Sequence, residues 1–204
     1  FYFFTYNLYS STTNMSTLFD LLFPVVLFLV PVLTMRLMSE DKRLRTDQLL
    51  LTAPVSRLGI VLGKYCAAAA VFIIAVSSTL LEAIVLSFFG QPHWPVIIGH
   101  VVGILLLGLT LIAICMFLSA LTESQVIAAV SGFVVSLFLM LVDALALVVN
   151  NRFLQVVFRN LSFNDRYKPF TVGIFDLPSV VFFISIGALF LFLTLAVLDK
   201  DRWR

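Results

Sequence analysis

Charged residues are scarce in this sequence. Only 12% of its 204 residues are Asp, Glu, Lys or Arg, whereas soluble proteins have about 25%. A chain of this length with so little polar sequence cannot cover the surface of a water-soluble fold. The composition therefore excludes an ordinary soluble enzyme, a disordered protein and a nucleic-acid-binding protein, and it predicts a chain that lies in a lipid bilayer.

Cysteine is also rare, and the motifs of several enzyme classes are missing. Cys66 and Cys115 both lie in apolar runs, so they are too few and too poorly placed for a disulfide framework or a zinc site. The sequence has no G-x-x-x-x-G-K-[ST] motif, the loop with which many ATPases hold phosphates. Neither a nucleophile–base pattern nor a set of metal ligands is visible. We therefore expect no catalytic residue, no metal and no cofactor in this chain itself.

The hydrophobic residues, 61% of the chain, are gathered in long runs. A membrane-spanning helix needs about 20 mostly apolar residues. Five runs meet this requirement, namely 17–38, 59–89, 96–121, 126–150 and 177–198. The apolar residues 1–9 are too short to span, and we interpret them as the end of a first span that is cut short here. Because these continuous runs differ from the alternating segments of a β-barrel, we predict one all-α transmembrane domain over 1–204, a polytopic helical bundle with six native spans.

Lysine and arginine indicate the orientation of the chain, since cytoplasmic loops carry an excess of both. Nine of the 13 lie between residues 36 and 64 or in the tail 199–204, and the other four lie in the loop 151–176. We predict that the loop 39–58 and the tail face the cytoplasm, and that the loop 151–176 lies outside. The number of crossings between the two basic segments agrees with this assignment.

The loop between the first two full spans contains a short helical pattern. Thr46 is suited to cap a helix and Asp47 to its positive end, the leucines 49–51 follow, and Pro54 ends the pattern. Ser56 can cap the helix that comes next. Two interpretations stay open from the residues alone, which are an ordinary turn at the membrane interface and a helix that docks on a cytosolic partner.

The same loop resembles that of the ABC-2 type transporter permeases, most of all the gliding-motility-type bacterial branch. The matching residues are Glu40, Thr46, Gln48, Leu49, Leu50, Leu51, Thr52, Ala53, Pro54, Val55, Ser56 and Arg57, followed by Ile60-Val61-Leu62-Gly63-Lys64. Weaker matches are Phe170-x-x-Gly173-Ile174-Phe175-Asp176 before the last span and the charged end of the last span, Leu198-Asp199-Lys200-Asp201-Arg202-Trp203. Arg45 and Gln48 depart from the family, which usually has Gly and Glu there.

The resemblance implies a permease of the type V exporter-like fold, located in the inner membrane. Two copies, or this chain and a paralogue, would form the pathway, and two copies of a separate ATP-binding subunit would bind ATP and Mg²⁺. The short cytoplasmic coupling helix would dock on that subunit. The predicted docking residues are Glu40, Thr46, Asp47, Gln48, Leu49, Leu50, Leu51, Thr52, Pro54 and Arg57. An alternative is a subunit that transmits force to an envelope or motility complex and moves no substrate.

The loop 151–176 is predicted to hold an amphipathic helix, because apolar residues recur at near-helical spacing over 153–161. The resemblance implies a re-entrant helical element here that closes the outer mouth of the pathway, with Phe170, Gly173 and Asp176 in this outer gate. A helix that merely anchors the loop to the membrane surface is the alternative. His93 and His100 are expected to lie at the membrane interface.

Two carboxylates and two pairs of small residues fall inside the predicted spans. Glu82 and Asp143 are costly in lipid, so they either line the pathway or a helix contact, or they reach the headgroup region. Small residues four apart, in Gly99-x-x-x-Gly103 and Ala128-x-x-x-Gly132, allow close helix packing. That packing serves either contacts within the chain or a dimer contact.

Overall fold

Every bounded element of the structure is a helix. The computed structural model describes residues 16–44, 56–88, 93–148, 155, 158 and 160–201. The helices within these residues are α1 (Ser16–Thr34), α2 (Ser39–Leu44), α3 (Arg57–Ser87), α4 (Trp94–Ala120), α5 (Gln125–Val148), α6 (Phe163–Thr171) and α7 (Leu177–Asp201). Five stretches, one of them running through α1 and α2, are long and apolar enough to cross a membrane. The prediction of an all-α polytopic membrane bundle is confirmed.

Two expectations fall on residues beyond this description. Residues 1–9, interpreted as the end of a further span, and residues 45–55, which contain the predicted docking helix, lie outside the described ranges. The flank of the docking segment is described, and there Ser56 caps α3 as expected, since its Oγ accepts a hydrogen bond from the backbone N–H of Gly59 at 3.2 Å.

Helix α4 lies at the centre of the bundle. In its most apolar stretch 67% of the residues are buried, compared with 17–33% in the other four candidate spans. It packs against α1, α3, α5, α6 and α7. A helix that is apolar on all sides is expected at such a position, and the sequence of α4 is apolar on all sides apart from a few small hydroxyls and one histidine.

Small residues bring neighbouring helices close to α4 and α5. A Cβ atom added to Gly108 of α4 would lie 2.1 Å from the ring of Phe72 in α3, so this ring occupies the space that glycine leaves. A Cβ added to Gly132 of α5 would lie 2.8 Å from Cβ of Pro31 in α1. The Ala128-x-x-x-Gly132 pair therefore serves packing within the chain.

The bundle has two distinct ends. At one end, called the α2 end here, an apolar cluster joins the α1–α2 turn, the start of α3 and the ends of α4 and α7; its members include Met38, Val61, Met116 and Leu198. At the opposite α6 end, the ring of Phe19 near the start of α1 stacks on His100 near the start of α4, which in turn contacts Tyr167 of α6. The spanning helices therefore alternate in direction along the chain.

Candidate functional site

The turn between α1 and α2 is held by one side chain of α4. Ser119 Oγ accepts hydrogen bonds from the backbone N–H groups of Met38 at 3.2 Å and Ser39 at 3.0 Å, and it donates to the carbonyl of Met35 at 3.0 Å. A hydroxyl has one donor and two acceptor positions, and all of them are used. Because groups at helix ends lack partners within their own helix, the fully buried Ser119 supplies partners to the end of α1 and the start of α2.

Ion pairs fix α2 and α3 beside this turn. Lys64 Nζ donates to the carbonyl of Leu37 and forms an ion pair with Asp41 of α2. Arg57, the first residue of α3, forms an ion pair with Asp199 near the end of α7. Both flanks of the segment 45–55 are thus attached to the bundle, one to α3 and α4 and the other to α7.

The predicted docking residues divide between these attachments and the segment that is not described. Glu40 lies in the first turn of α2 and is half-buried. Arg57 engages Asp199 within the chain. The remaining predicted docking residues lie outside the described ranges, and their contact with a partner stays a prediction; they are Thr46, Asp47, Gln48, Leu49, Leu50, Leu51, Thr52 and Pro54.

Helix α6 at the opposite end is a short helix with defined caps. Ser162 Oγ accepts a hydrogen bond from the backbone N–H of Asp165 at 2.9 Å and so caps the first turn. At the other end Gly173 has a φ of +78°, and the N–H groups of Gly173 and Ile174 donate to the carbonyls of Phe170 and Pro169, both at 3.0 Å. This pairing is the Schellman motif, and its left-handed residue favours glycine.

Helix α6 packs into the groove that Gly99 and Gly103 form on α4. A Cβ on Gly99 would lie 2.4 Å from the carbonyl oxygen of Phe170, and a Cβ on Gly103 would lie 2.8 Å from the ring of Tyr167. Phe170 is fully buried. The pair of glycines therefore serves packing within the chain, and it brings the backbone of α6 against the backbone of α4.

The predicted outer-gate residues all lie in or directly beside this packed element. Phe170 is in α6 and contacts the ring of Phe175 edge to face at 5.9 Å, and Gly173 ends the helix. Asp176 caps the start of α7, where its Oδ2 accepts hydrogen bonds from the backbone N–H of Ser179 at 3.1 Å and from the Ser179 hydroxyl. The structure thus brings the three residues together, although their role as a gate stays a prediction.

His100 was expected at the membrane interface, and the structure shows that its side chain is enclosed between helices. The side chain is fully buried, stacked parallel to the ring of Phe19 at 4.5 Å, with Nδ1 3.1 Å from the hydroxyl of Tyr167. The reason is its position on α4, since Ile104, Leu107 and Leu111 continue the same face at helical spacing and are buried too. That spacing was visible in the sequence.

The helical pattern in the loop 151–176 extends further than predicted. Of the predicted stretch 153–161, residues 155, 158, 160 and 161 are described and are helical. The bounded helix α6 covers Phe163–Thr171, beyond the periodic stretch but within the loop in which the resemblance implied a helical element. The signals for it in the sequence are the spacing of its buried residues Phe163, Tyr167 and Phe170, the cap at Ser162 and the charges in its first and last turns.

The two intramembrane carboxylates lie on helices that both pack against α4. Glu82 is half-buried in the second half of α3. Asp143 belongs to α5, and its side chain lies outside the description. Whether either lines a pathway or reaches the headgroups stays an open prediction.

An apolar groove of about 560 Å³ runs between α1 and α5. Its lining residues are Pro24, Val25, Phe28, Leu29, Val32 and Phe133. Most of these side chains are exposed on the surface of the described chain. The groove is thus a concave, lipid-compatible surface on the two helices that contact each other through Pro31 and Gly132.

Comparison with known proteins decides the family. The family model described as ABC-2 family transporter protein matches residues 4–203. The chain belongs to the ABC-2 transporter family. It is therefore a multi-pass membrane permease subunit of an ABC transporter, a family that works with an ABC ATPase subunit. Among curated proteins and among solved structures, none is similar enough to this permease to count as a match.

Proposed function

We propose that this permease is the membrane subunit of an ATP-driven exporter, resembling the gliding-motility-type branch of its family. Two permease subunits would form the pathway, and the segment 46–52 would dock on a separate ATPase subunit, two copies of which bind ATP and Mg²⁺. The observation that carries the proposal is the construction of the α2 end. There both flanks of the segment are attached to the bundle, through Ser119 and Lys64 on one side and Arg57 on the other.

This construction suits a docking segment because a displacement of the segment would be transmitted to the helices of the bundle. A surface loop joined to its helices by a flexible linker would absorb a displacement. Here the α1–α2 turn is hydrogen-bonded to α4, and α3 begins at a residue paired with α7. The basic residues 36–64 and the basic tail 199–204 favour a cytoplasmic location for this end, in the inner membrane, where an ATPase subunit can reach it.

The groove between α1 and α5 is our candidate for the wall of the pathway. It is shallow and open, and it is lined by apolar side chains. A second permease facing this groove would enclose an apolar space suited to a hydrophobic or amphipathic substrate.

The docking proposal is tested by Leu50→Asp in the intact complex. We expect the ATPase subunit to be lost on purification, or its hydrolysis to be uncoupled from transport, because a charge would disrupt an apolar contact. The matched control is Leu121→Asp, since Leu121 is an exposed leucine at the same end of the bundle but in the α4–α5 connection. Equal co-purification and coupling in both variants would show that 46–52 is not the docking element.

Transport itself is tested by reconstituting the complex in vesicles. Movement of substrate that depends on ATP supports the exporter. ATP hydrolysis with no movement of any candidate substrate would favour the alternative, a subunit that transmits force to an envelope or motility complex.

A further inference from the structure

We infer that Ser119 is the positioning residue through which the docking segment moves α4, and that α4 and α6 move as one rigid unit. The inference rests on the proposed function, in which an ATPase subunit acts on the segment 46–52. It adds the route by which that action crosses the membrane.

Ser119 holds the α1–α2 turn firmly against α4. Its hydroxyl forms three hydrogen bonds with the backbone of the α1–α2 turn. The site is fully buried, so a turn that moved without α4 would leave backbone groups with no partner in an apolar region, which is costly. Lys64 and Arg57, in contrast, attach through long and partly exposed side chains, which can follow a movement by changing rotamer.

Helix α4 runs without interruption from one end of the bundle to the other. It is an unbroken helix of 27 residues with proline only in its first turn, which gives a length of about 40 Å at about 1.5 Å per residue. Ser119 and Gly99 lie near its two ends, about 30 Å apart on the same basis. Helix α1, by comparison, contains Pro24 and Pro31 in its interior, and proline is a common site of bending.

Helix α6 contacts α4 closely at the end of α4 that lies far from Ser119. The carbonyl of Phe170 and the ring of Tyr167 occupy the space next to Gly99 and Gly103, and the Tyr167 hydroxyl lies 3.1 Å from Nδ1 of His100. If α6 swung away as an independent flap, the buried ring of Phe170 would lose its packing on α4. Helix α6 also contacts α1 and α7 through side chains, Tyr167 with Phe23 and Phe163 with Phe183. Because its backbone lies directly against that of α4, we expect a displacement of α4 to carry α6 with it.

Distances between spin labels in the permease–ATPase complex test this route. Cys66 is exposed and is replaced by alanine, whereas Cys115 is buried and is expected not to react with the label. Exposed label sites are Ile98 on α4, Val172 at the end of α6 and Leu141 on α5. On trapping with ATP and vanadate, we expect the Val172–Leu141 distance to shift and the Ile98–Val172 distance to stay unchanged.

The role of Ser119 is tested in the same assay. Ser119→Ala should abolish the shift between Val172 and Leu141 while ATPase co-purification and nucleotide binding are kept, and Ser119→Thr, which retains a hydroxyl, should restore it. Ser131→Ala is the matched control, because Ser131 Oγ donates to the Ala128 carbonyl within its own helix at 2.9 Å. If the Ser119→Ala chain does not assemble, Ser119→Cys is used in its place, because a thiol is only a weak hydrogen-bonding group. Position 119 is fully buried, so the labelling reagent should not reach this thiol.

The outcomes separate the two proposals. A nucleotide-dependent change in the Ile98–Val172 distance would overturn the rigid unit, since α6 would then move on α4. A wild-type shift in Ser119→Ala or Ser119→Cys would overturn the role of Ser119. If the ATPase subunit did not co-purify with the unsubstituted permease, and no label distance shifted with nucleotide, the proposed function would be refuted, and this inference with it.

Discussion

Substitution of Gly99 by alanine tests the central contact between α4 and α6. The new Cβ would lie 2.4 Å from the carbonyl oxygen of Phe170 and 3.0 Å from the Cα of Gly173. Both neighbours are backbone atoms, so no side chain can rotate away to make room. The strain must be relieved by moving one helix relative to the other.

The size of the effect follows from this geometry. Ordinary contact begins at 3.4 Å, so the backbone of α6 would have to retreat by about 1.0 Å at Phe170. A gap of this size forfeits a quarter to a half of each affected dispersion contact, and overpacking in a core costs about 1–3 kcal/mol. We expect a loss of that size in the free energy of unfolding, which corresponds to roughly 2–12 °C in melting temperature for a chain of this length.

Melting of the purified permease in detergent measures the loss, and Gly63→Ala provides the control. Gly63 lies in α3 with nothing within 4 Å of an added Cβ, so this substitution changes the same residue type in a helix without a new contact. Alanine is favoured over glycine in a helix by up to about 1 kcal/mol, and Gly63→Ala should be neutral or slightly stabilising.

Equal melting temperatures for the two variants would contradict the packing of α6 on α4. If Gly99→Ala melted at the same temperature as Gly63→Ala, α6 would not be packed on α4 as the structure has it. The rigid unit of the two helices would then lose its physical basis.

Three smaller effects follow from single contacts. Thr110→Val removes a hydroxyl that is shared between the Leu106 carbonyl of its own helix at 2.8 Å and the Phe183 carbonyl of α7 at 3.0 Å, and it should lower the free energy of unfolding by about 0.6 kcal/mol, up to about 1.7. Thr194→Val, whose hydroxyl bonds within α7, should cost less. A double-mutant cycle on Arg57 and Asp199 should give a coupling energy of about 0.2–1 kcal/mol that shrinks in high salt, and a coupling that is unaffected by salt would contradict a partly exposed pair. Ser136→Ala should be stabilising by about 1 kcal/mol in the same unfolding assay, because this buried hydroxyl has no hydrogen-bond partner among the residues described; a loss of stability would reveal a partner.

The membrane-spanning architecture could be predicted because it depends on a property of whole segments. Lipid requires about 20 apolar residues for a span, and any helix that satisfies this is visible as a run. The cap at Ser56 was also visible, since a serine before an apolar run is a local signal. The use of Gly99 and Gly103 was half predicted, because their spacing indicates close packing but does not identify the helix that packs there.

The tertiary contacts of Ser119 and of helix α6 could not be found in the same way. Ser119 lies within an apolar helix, and serine in a span usually bonds to its own helix, as Ser77 does with the carbonyl of Ile73. Its actual partners, Met38 and Ser39, are about 80 residues away in the sequence. Helix α6 is short, so its stability comes mainly from tertiary packing. The spacing of Phe163, Tyr167 and Phe170 marks its buried face but does not identify α4 as the helix on which it packs.

The arrangement of polar groups explains why α4 is suited to connect the two ends of the bundle. In a bilayer, backbone groups need partners wherever a helix ends or turns, and this chain meets that need with hydroxyls and carboxylates at helix ends, namely Ser56, Ser119, Ser162 and Asp176. Of these, Ser119 belongs to a different helix from the end it caps. That exception ties the turn before the proposed docking segment to the most buried of the candidate spans, and the two glycines at the other end of the same helix contact α6. A helix fixed at both ends by close contacts, and mostly apolar between them, has few interior polar contacts to break when it shifts or tilts, and among the described residues these include the bond of Thr110 with α7 and that of the Leu109 carbonyl with Tyr65 of α3.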